Sequence, residues 1–135
     1  MSYGVSAALQ AAVYQRLTGD AVLGALVGGA IYDALPSGTL PDLYVSLGPE
    51  EARDRSDMTG AGALHLFTVS VVSAAAGFQA AKAAAAAVSD ALVDAPLTLS
   101  RGALAGLHFD RARAQRLTDG TRRIDLRFRA RVDDQ

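Results

Sequence analysis

Arginine is the residue whose spacing in this 135-residue chain invites a chemical reading. From Arg123 the sequence runs Arg-Ile-Asp-Leu-Arg-Phe-Arg-Ala-Arg-Val, a strict alternation. In a β-strand that period puts Ile124, Leu126, Phe128, Ala130 and Val132 on one face, with Arg123, Asp125, Arg127, Arg129 and Arg131 on the other. Arg111 and Arg113 precede it on a second segment. A guanidinium offers a planar fork of donors that fits carboxylate or phosphate oxygens. The row therefore has three readings: a solvated strand face, an ion-pairing surface for another subunit, or a contact with nucleic-acid phosphates. The last would weaken steeply with salt. No aromatic side chain interleaves with the arginines on their own face, so base recognition is not expected.

The acidic counterpart lies in residues 48–62 (GPEEARDRSDMTGAG). This stretch carries Glu50, Glu51, Arg53, Asp54, Arg55 and Asp57 and almost nothing apolar. It is longer than an ordinary connection, which predicts an exposed arm with a function of its own. Asp54 and Asp57 do not fall on a calcium-loop spacing, and Arg53 and Arg55 beside them point to ion pairing instead. The asymmetry extends through the chain. Residues 1–100 hold four basic and nine acidic side chains, and residues 101–135 hold nine arginines and five aspartates, within a net charge of −1. Such a split suits complementary surfaces, for a second copy or for a polyanion.

Enzymatic constellations are thin. The chain has no cysteine and two histidines, His65 and His108, each among apolar neighbours on a predicted strand. They read as structural or surface histidines and not as a metal site. No Gly-x-Ser-x-Gly elbow occurs, and Gly24…Gly28-Gly29 lacks the Lys and Ser/Thr of a phosphate loop. No catalytic residue, cofactor or metal is assigned.

The elements that must position these charges follow from periodicity. Apolar residues at Val5, Ala8, Leu9, Ala12, Val13 and Leu17 predict a helix over 6–18, with Ser6 as its cap. Asp20 caps a short helix over 21–27, closed by Gly28-Gly29. Residues 30–35 and 42–47 read as strands, and residues 63–73 as the central strand. Phe78, Ala81, Ala85, Val88 and Leu92 form one stripe of a long helix over 77–95, stopped before Pro96. Residues 103–117 and the arginine strand make a hairpin around Asp119-Gly120. On the first of these strands Leu107 and Phe109 share an inner face that turns polar at Arg111 and Arg113, which suggests projection beyond the core. The expected architecture is α+β: an antiparallel sheet of four to five strands with a long helix and an N-terminal helix on one face. The length predicts a single domain over 1–135. Neither a signal peptide nor a membrane span is legible, so a soluble product is expected.

In order and spacing these segments resemble the tail-completion, or tail-terminator, family of long-tailed phages and gene transfer agents. The resemblance rests on ALQAAVYQRLTGDAVLGALVGGAIYDALP, PDLYVSLGPEEARDRSD and HLFTVSVVSAAAGFQAAKAAAAAVSDALVDAPLTL, followed by the arginine-rich hairpin. The alanine-rich helix is less charged than the family pattern. The resemblance implies a non-enzymatic structural subunit without cofactor. It would form a homo-oligomer, a hexameric ring, on the last ring of the tail tube protein. There it would end tube growth and meet the head–tail connector or stopper protein. Double-stranded DNA would pass through its lumen without sequence specificity, and no membrane is involved. The implied location is the tail end near the head of a virion or gene-transfer-agent particle, reached from the host cytoplasm. Position and charge nominate Glu50, Glu51, Arg53, Asp54, Arg55 and Asp57 for a subunit or partner interface. They nominate Arg111, Arg113, Arg123, Arg127, Arg129 and Arg131 for an interface or the DNA lumen. Two alternatives remain at this level: a nucleic-acid-binding module using the arginine strand, and a head-completion or connector protein of the same particle.

Overall fold

The computed structural model describes residues 3–55 and 62–134. The chain runs α1 (Ser6–Thr18), α2 (Ala21–Val27), β1 (Ile31–Tyr32), β2 (Leu43–Asp54), β3 (Gly62–Ser73), α3 (Gln79–Leu92), β4 (Ala103–Arg116) and β5 (Arg122–Asp133). The strands form one sheet in the order β1-β2-β3-β5-β4. Every neighbouring pair is antiparallel except β1 and β2, which run parallel over two residue pairs. The α+β expectation holds, with one short parallel edge added.

β3 and β5 form the axis of the sheet. Their unbroken register sets Ala63, His65, Phe67, Val69 and Val71 opposite Val132, Ala130, Phe128, Leu126 and Ile124. All ten are buried, on the face that the helices cover. Phe128, fully buried, stacks on Phe67 at 5.6 Å between ring centroids and takes Phe109 edge-on at 6.0 Å. α3 lies across this face through Ala81, Ala84, Ala85, Ala87, Val88, Ala91 and Leu92, all buried. Alanine both favours the helix and lets its backbone approach the sheet closely. α1 contributes Leu9, Val13 and Leu17, and α2 contributes Leu23 and Val27. Arg16 Nε donates to the Ala91 carbonyl at 2.8 Å, tying α1 to the end of α3.

Local signals worked where the backbone itself needed them. Asp20 accepts from the Leu23 N–H at 2.9 Å, and Gly28 closes α2 at φ 62°. At the hairpin tip Asp119 accepts from both the N–H and the hydroxyl of Thr121, and Gly120 takes φ 90°.

Four local expectations need correction. Ser6 does not cap α1: the cap position is Val5 without a side-chain bond, and the Ser6 hydroxyl donates to Glu50 instead. The strand expected over 30–35 shrinks to Ile31–Tyr32, since the chain bends away before Pro36. The segment expected as a loop from residue 48 is strand as far as Asp54. Gly48 and Pro49 are absorbed in a bulge between Leu47 and Glu50, after which pairing resumes with Phe67 to Ala63. Most side chains of residues 48–54 are exposed, and residues 56–61 of the expected arm lie outside the described residues. Finally, Arg111 and Arg113 do not share a face with Phe109. A register shift between Phe109 and Arg111 leaves Asp110 as the extra residue. It swaps the alternation, so Ala112 and Ala114 take the helix-side face and the arginines the opposite one.

The core stack gives a graded test. Phe128→Ala should cost about 3–5 kcal/mol in urea unfolding, since it removes the ring that both neighbours touch. Phe109→Ala, at a position 44% exposed, should cost about 1–2 kcal/mol.

Candidate functional site

The sheet face opposite the helices is where most of the nominated charges meet. It is assembled by the unbroken β3–β5 register and by the bulged registers of β2 with β3 and of β4 with β5. Across β2, β3, β5 and β4 its rows run Glu51, Leu66, Arg129, His108; then Thr68, Arg127, Arg111; then Ser46, Ser70, Asp125, Arg113; then Tyr44, Val72, Arg123, Gln115. Leu66 and Val72 are buried on this face too, Leu66 between Glu51 and Arg129 and Val72 between Tyr44 and Arg123.

The arginines here are mostly paired within the chain. Arg123 Nε lies 2.9 Å from Asp125, whose other neighbour, the Ser70 hydroxyl, donates to it at 2.6 Å. Arg127 sits between Asp110 at 3.4 Å and Glu51 at 3.6 Å, and Arg129 lies 3.8 Å from the same Asp110. Arg131 lies 3.3 Å from Asp133, and Arg53 lies 3.2 Å from Glu51. Arg111 and Arg113 have no carboxylate within ion-pair distance among the described residues. Together with Arg123, Arg127, Asp125, Thr68 and Pro49 they line a shallow groove. The free positive charge of this face is thus concentrated on the outer strand β4.

The acidic half of the nomination divides. Glu51 and Arg53 stay on the open face. Asp54 ends β2, and Arg55 follows it, its N–H donating to the Gly62 carbonyl at 2.8 Å. Asp57 lies outside the described residues. Glu50 is turned to the helix side by the bulge. There it accepts from the Tyr3 hydroxyl at 2.5 Å and from the Ser6 hydroxyl at 2.7 Å, and lies 3.3 Å from His65 Nδ1. Burial raises its pKa, but the two hydroxyl donors and the adjacent imidazole outweigh that. The carboxyl is held below the usual range. This cluster, which fastens the N-terminal segment to β2, has no sequence signature. Its members are spread over positions 3, 6, 50 and 65 and meet only through the fold.

Among the described residues the other titratable groups assemble no site of comparable density. His65 is fully buried and structural, and His108 is exposed, with Nδ1 3.7 Å from Asp94. Among the described residues no group of three or more His, Asp or Glu is placed to hold a metal ion. Among the described residues no helix is long and apolar enough to cross a membrane.

Comparison with known proteins adds the context. The family model described as "Tail completion protein gp17" matches residues 11–133. Among solved structures, a chain of "Virion of native gene transfer agent (GTA) particle" is 65% identical and superposes with a TM-score of 0.93. The match covers 98% of this chain and 99% of that one. No curated protein sequence matches.

The Glu50 cluster makes stability depend on pH. Because the folded state holds this carboxyl below its unfolded value, its contribution is fully present above the usual carboxylate range. It is lost as pH falls through that range. Urea titrations from pH 7 down to pH 3 should show a shallower loss of stability in Glu50→Gln than in the parent chain. Equal slopes would remove Glu50 as a contributor.

Proposed function

Because the chain belongs to the tail completion protein gp17 family, we propose that it closes the head-proximal end of a tail tube as a ring. Its role is structural, in tail completion, and it is not an enzyme. In this reading it stops addition of tube subunits and presents the docking surface for the head connector. Its ring surrounds a lumen through which double-stranded DNA passes. The observation that carries the reading is the near end-to-end correspondence with a chain whose setting is a gene-transfer-agent particle, which also supports a place in such a particle.

The geometry supports the finer parts. A ring needs two different patches per subunit, one for each neighbour. The sheet offers two such patches, β4 on one side and the part of β2 that β1 leaves uncovered on the other, which differ in sequence and charge. A lumen needs a surface that tolerates a polyanion without gripping it. The open face does so, with most of its arginines already opposed by carboxylates. The same pairing weighs against an independent nucleic-acid-binding module, which would present those cations unpaired to phosphates.

Deleting the gene in a producing cell and imaging lysates by negative-stain electron microscopy tests the proposal. The expected result is tails of uncontrolled length, or finished tails apart from DNA-filled heads. Normal-length tails joined to full heads would overturn it. Complementation with Arg111→Glu/Arg113→Glu should leave folding intact by circular dichroism and lower the yield of joined particles at least about tenfold.

A further inference from the structure

We propose that neighbouring copies of this chain join by strand addition, the free edge of β4 in one copy receiving residues 50–54 of β2 in the next, antiparallel. The inference rests on the ring reading above and specifies its interface.

Both edges are visible in the sheet. β4 is the last strand on one side, fourteen residues long, with residues 108–114 exposed. A long uncovered edge is a ready template for another strand. On the other side, β1 covers only Val45 and Ser46 of the twelve-residue β2. No strand pairs with the outer edge of β2 beyond them among the described residues. Pro49, which cannot donate to a ladder, sits in the bulge and restricts the available edge to residue 50 onward. Five residues is an ordinary strand length.

Charge selects the pairing. Residues 110–116 of β4 hold Arg111, Arg113 and Arg116 against Asp110, while residues 50–54 of β2 hold Glu51 and Asp54 against Arg53, with Glu50 engaged on the helix side by Tyr3, Ser6 and His65. Joining two β4 edges would set arginines against arginines, and joining two β2 edges would leave those arginines without a facing carboxylate. Like charges on facing strands are destabilising. Joining β4 to β2 brings Glu51, 55% exposed, beside Arg111 or Arg113 on the open face. On the helix side it covers Phe109, Ala112 and Ala114, which the helices leave exposed. The direction follows from topology. β2, β3, β5 and β4 are antiparallel in succession, so β4 and β2 have opposite senses. A rotation about an axis near the strand direction carries one copy onto the next and preserves that opposition. Because the two edges differ and lie on opposite sides, the contact is head-to-tail and can repeat until it closes.

The chain contains no cysteine, so introduced thiols report cleanly. One cysteine on β4 (His108→Cys, Arg111→Cys or Arg113→Cys) would be combined with one on β2 (Glu51→Cys or Arg53→Cys). Particles from cells producing each full-length variant would then be oxidised. At least one of the combinations should give a reductant-sensitive ladder of covalent multimers on a denaturing gel, while single-cysteine chains stay monomeric. A dimer from Arg113→Cys alone would overturn the proposal in favour of β4–β4 pairing. Only monomers from every combination, in particles whose images show a ring at the tail end, would overturn strand addition and leave the ring. Wild-type particles without such a ring would instead overturn the underlying reading. Hydrogen exchange on the unmodified protein gives an independent check. Amides in 109–114 and 50–54 should exchange at least about tenfold more slowly in the particle than in the free chain, and unchanged rates would overturn the proposal.

Discussion

The structure depends on the pleat of β5. This strand lies between β3 and β4, and its alternation assigns each of its side chains to a closed or an open face. On the closed face Leu126, Phe128, Ala130 and Val132 are buried almost completely. A slip of one residue would drive Arg127, Arg129 and Arg131 into that layer. Burying unpaired guanidinium groups is far costlier than any gain from a shifted ladder. The register with β3 is therefore fixed from Gly62 to Ser73 without a break, and the strands outside β3 and β5 adjust to it.

They adjust through bulges; besides one at Ala105 near the start of β4, two of them settle an electrostatic problem. β4 shifts at Asp110, which turns Arg111 and Arg113 out of the core and leaves a carboxylate between Arg127 and Arg129. β2 shifts at Gly48-Pro49, which places Glu51 near Arg127 and sends Glu50 to Tyr3, Ser6 and His65. Surface ion pairs of this kind stabilise by only about 0–1 kcal/mol each. Their larger effect is to remove the repulsion that arginines on adjacent strands would otherwise impose, as between Arg111 and the facing Arg127.

This division explains what could be read from the sequence. Features governed by near neighbours were legible: α1 and α2 to the residue, the Asp20 cap, the stripe of α3, the Asp119-Gly120 turn and the two faces of β5. The family resemblance was legible as well, because it rests on the order of those features, and the match over residues 11–133 bears it out. The bulges were not legible. A Gly-Pro pair followed by five charged residues in six looks like a loop, and only its partner strand makes it a ladder. Likewise Leu107, Phe109, Arg111 and Arg113 look like one face until Asp110 is known to be the extra residue. The Glu50 cluster was invisible for the same reason, since its members are brought together by a register that no local signal announces.

On the proposed reading, the internal pairing of the open face also bears on how DNA would move past it. A phosphate approaching Arg127 or Arg129 competes with Asp110, already 3.4 Å and 3.8 Å away. Each arginine held in this way releases fewer counterions when DNA arrives, and counterion release is the main source of affinity for a duplex. A face of unpaired arginines would hold DNA tightly at low salt and obstruct its passage, whereas a neutral apolar face would offer nothing to offset desolvation of the backbone. The paired row lies between these limits. If strand addition also brings the neighbour's Glu51 beside Arg111 or Arg113, the unpaired positive charge of the open face on β4 is reduced on assembly. The same contact that closes the ring would then leave its surface weakly attractive to DNA along its whole width.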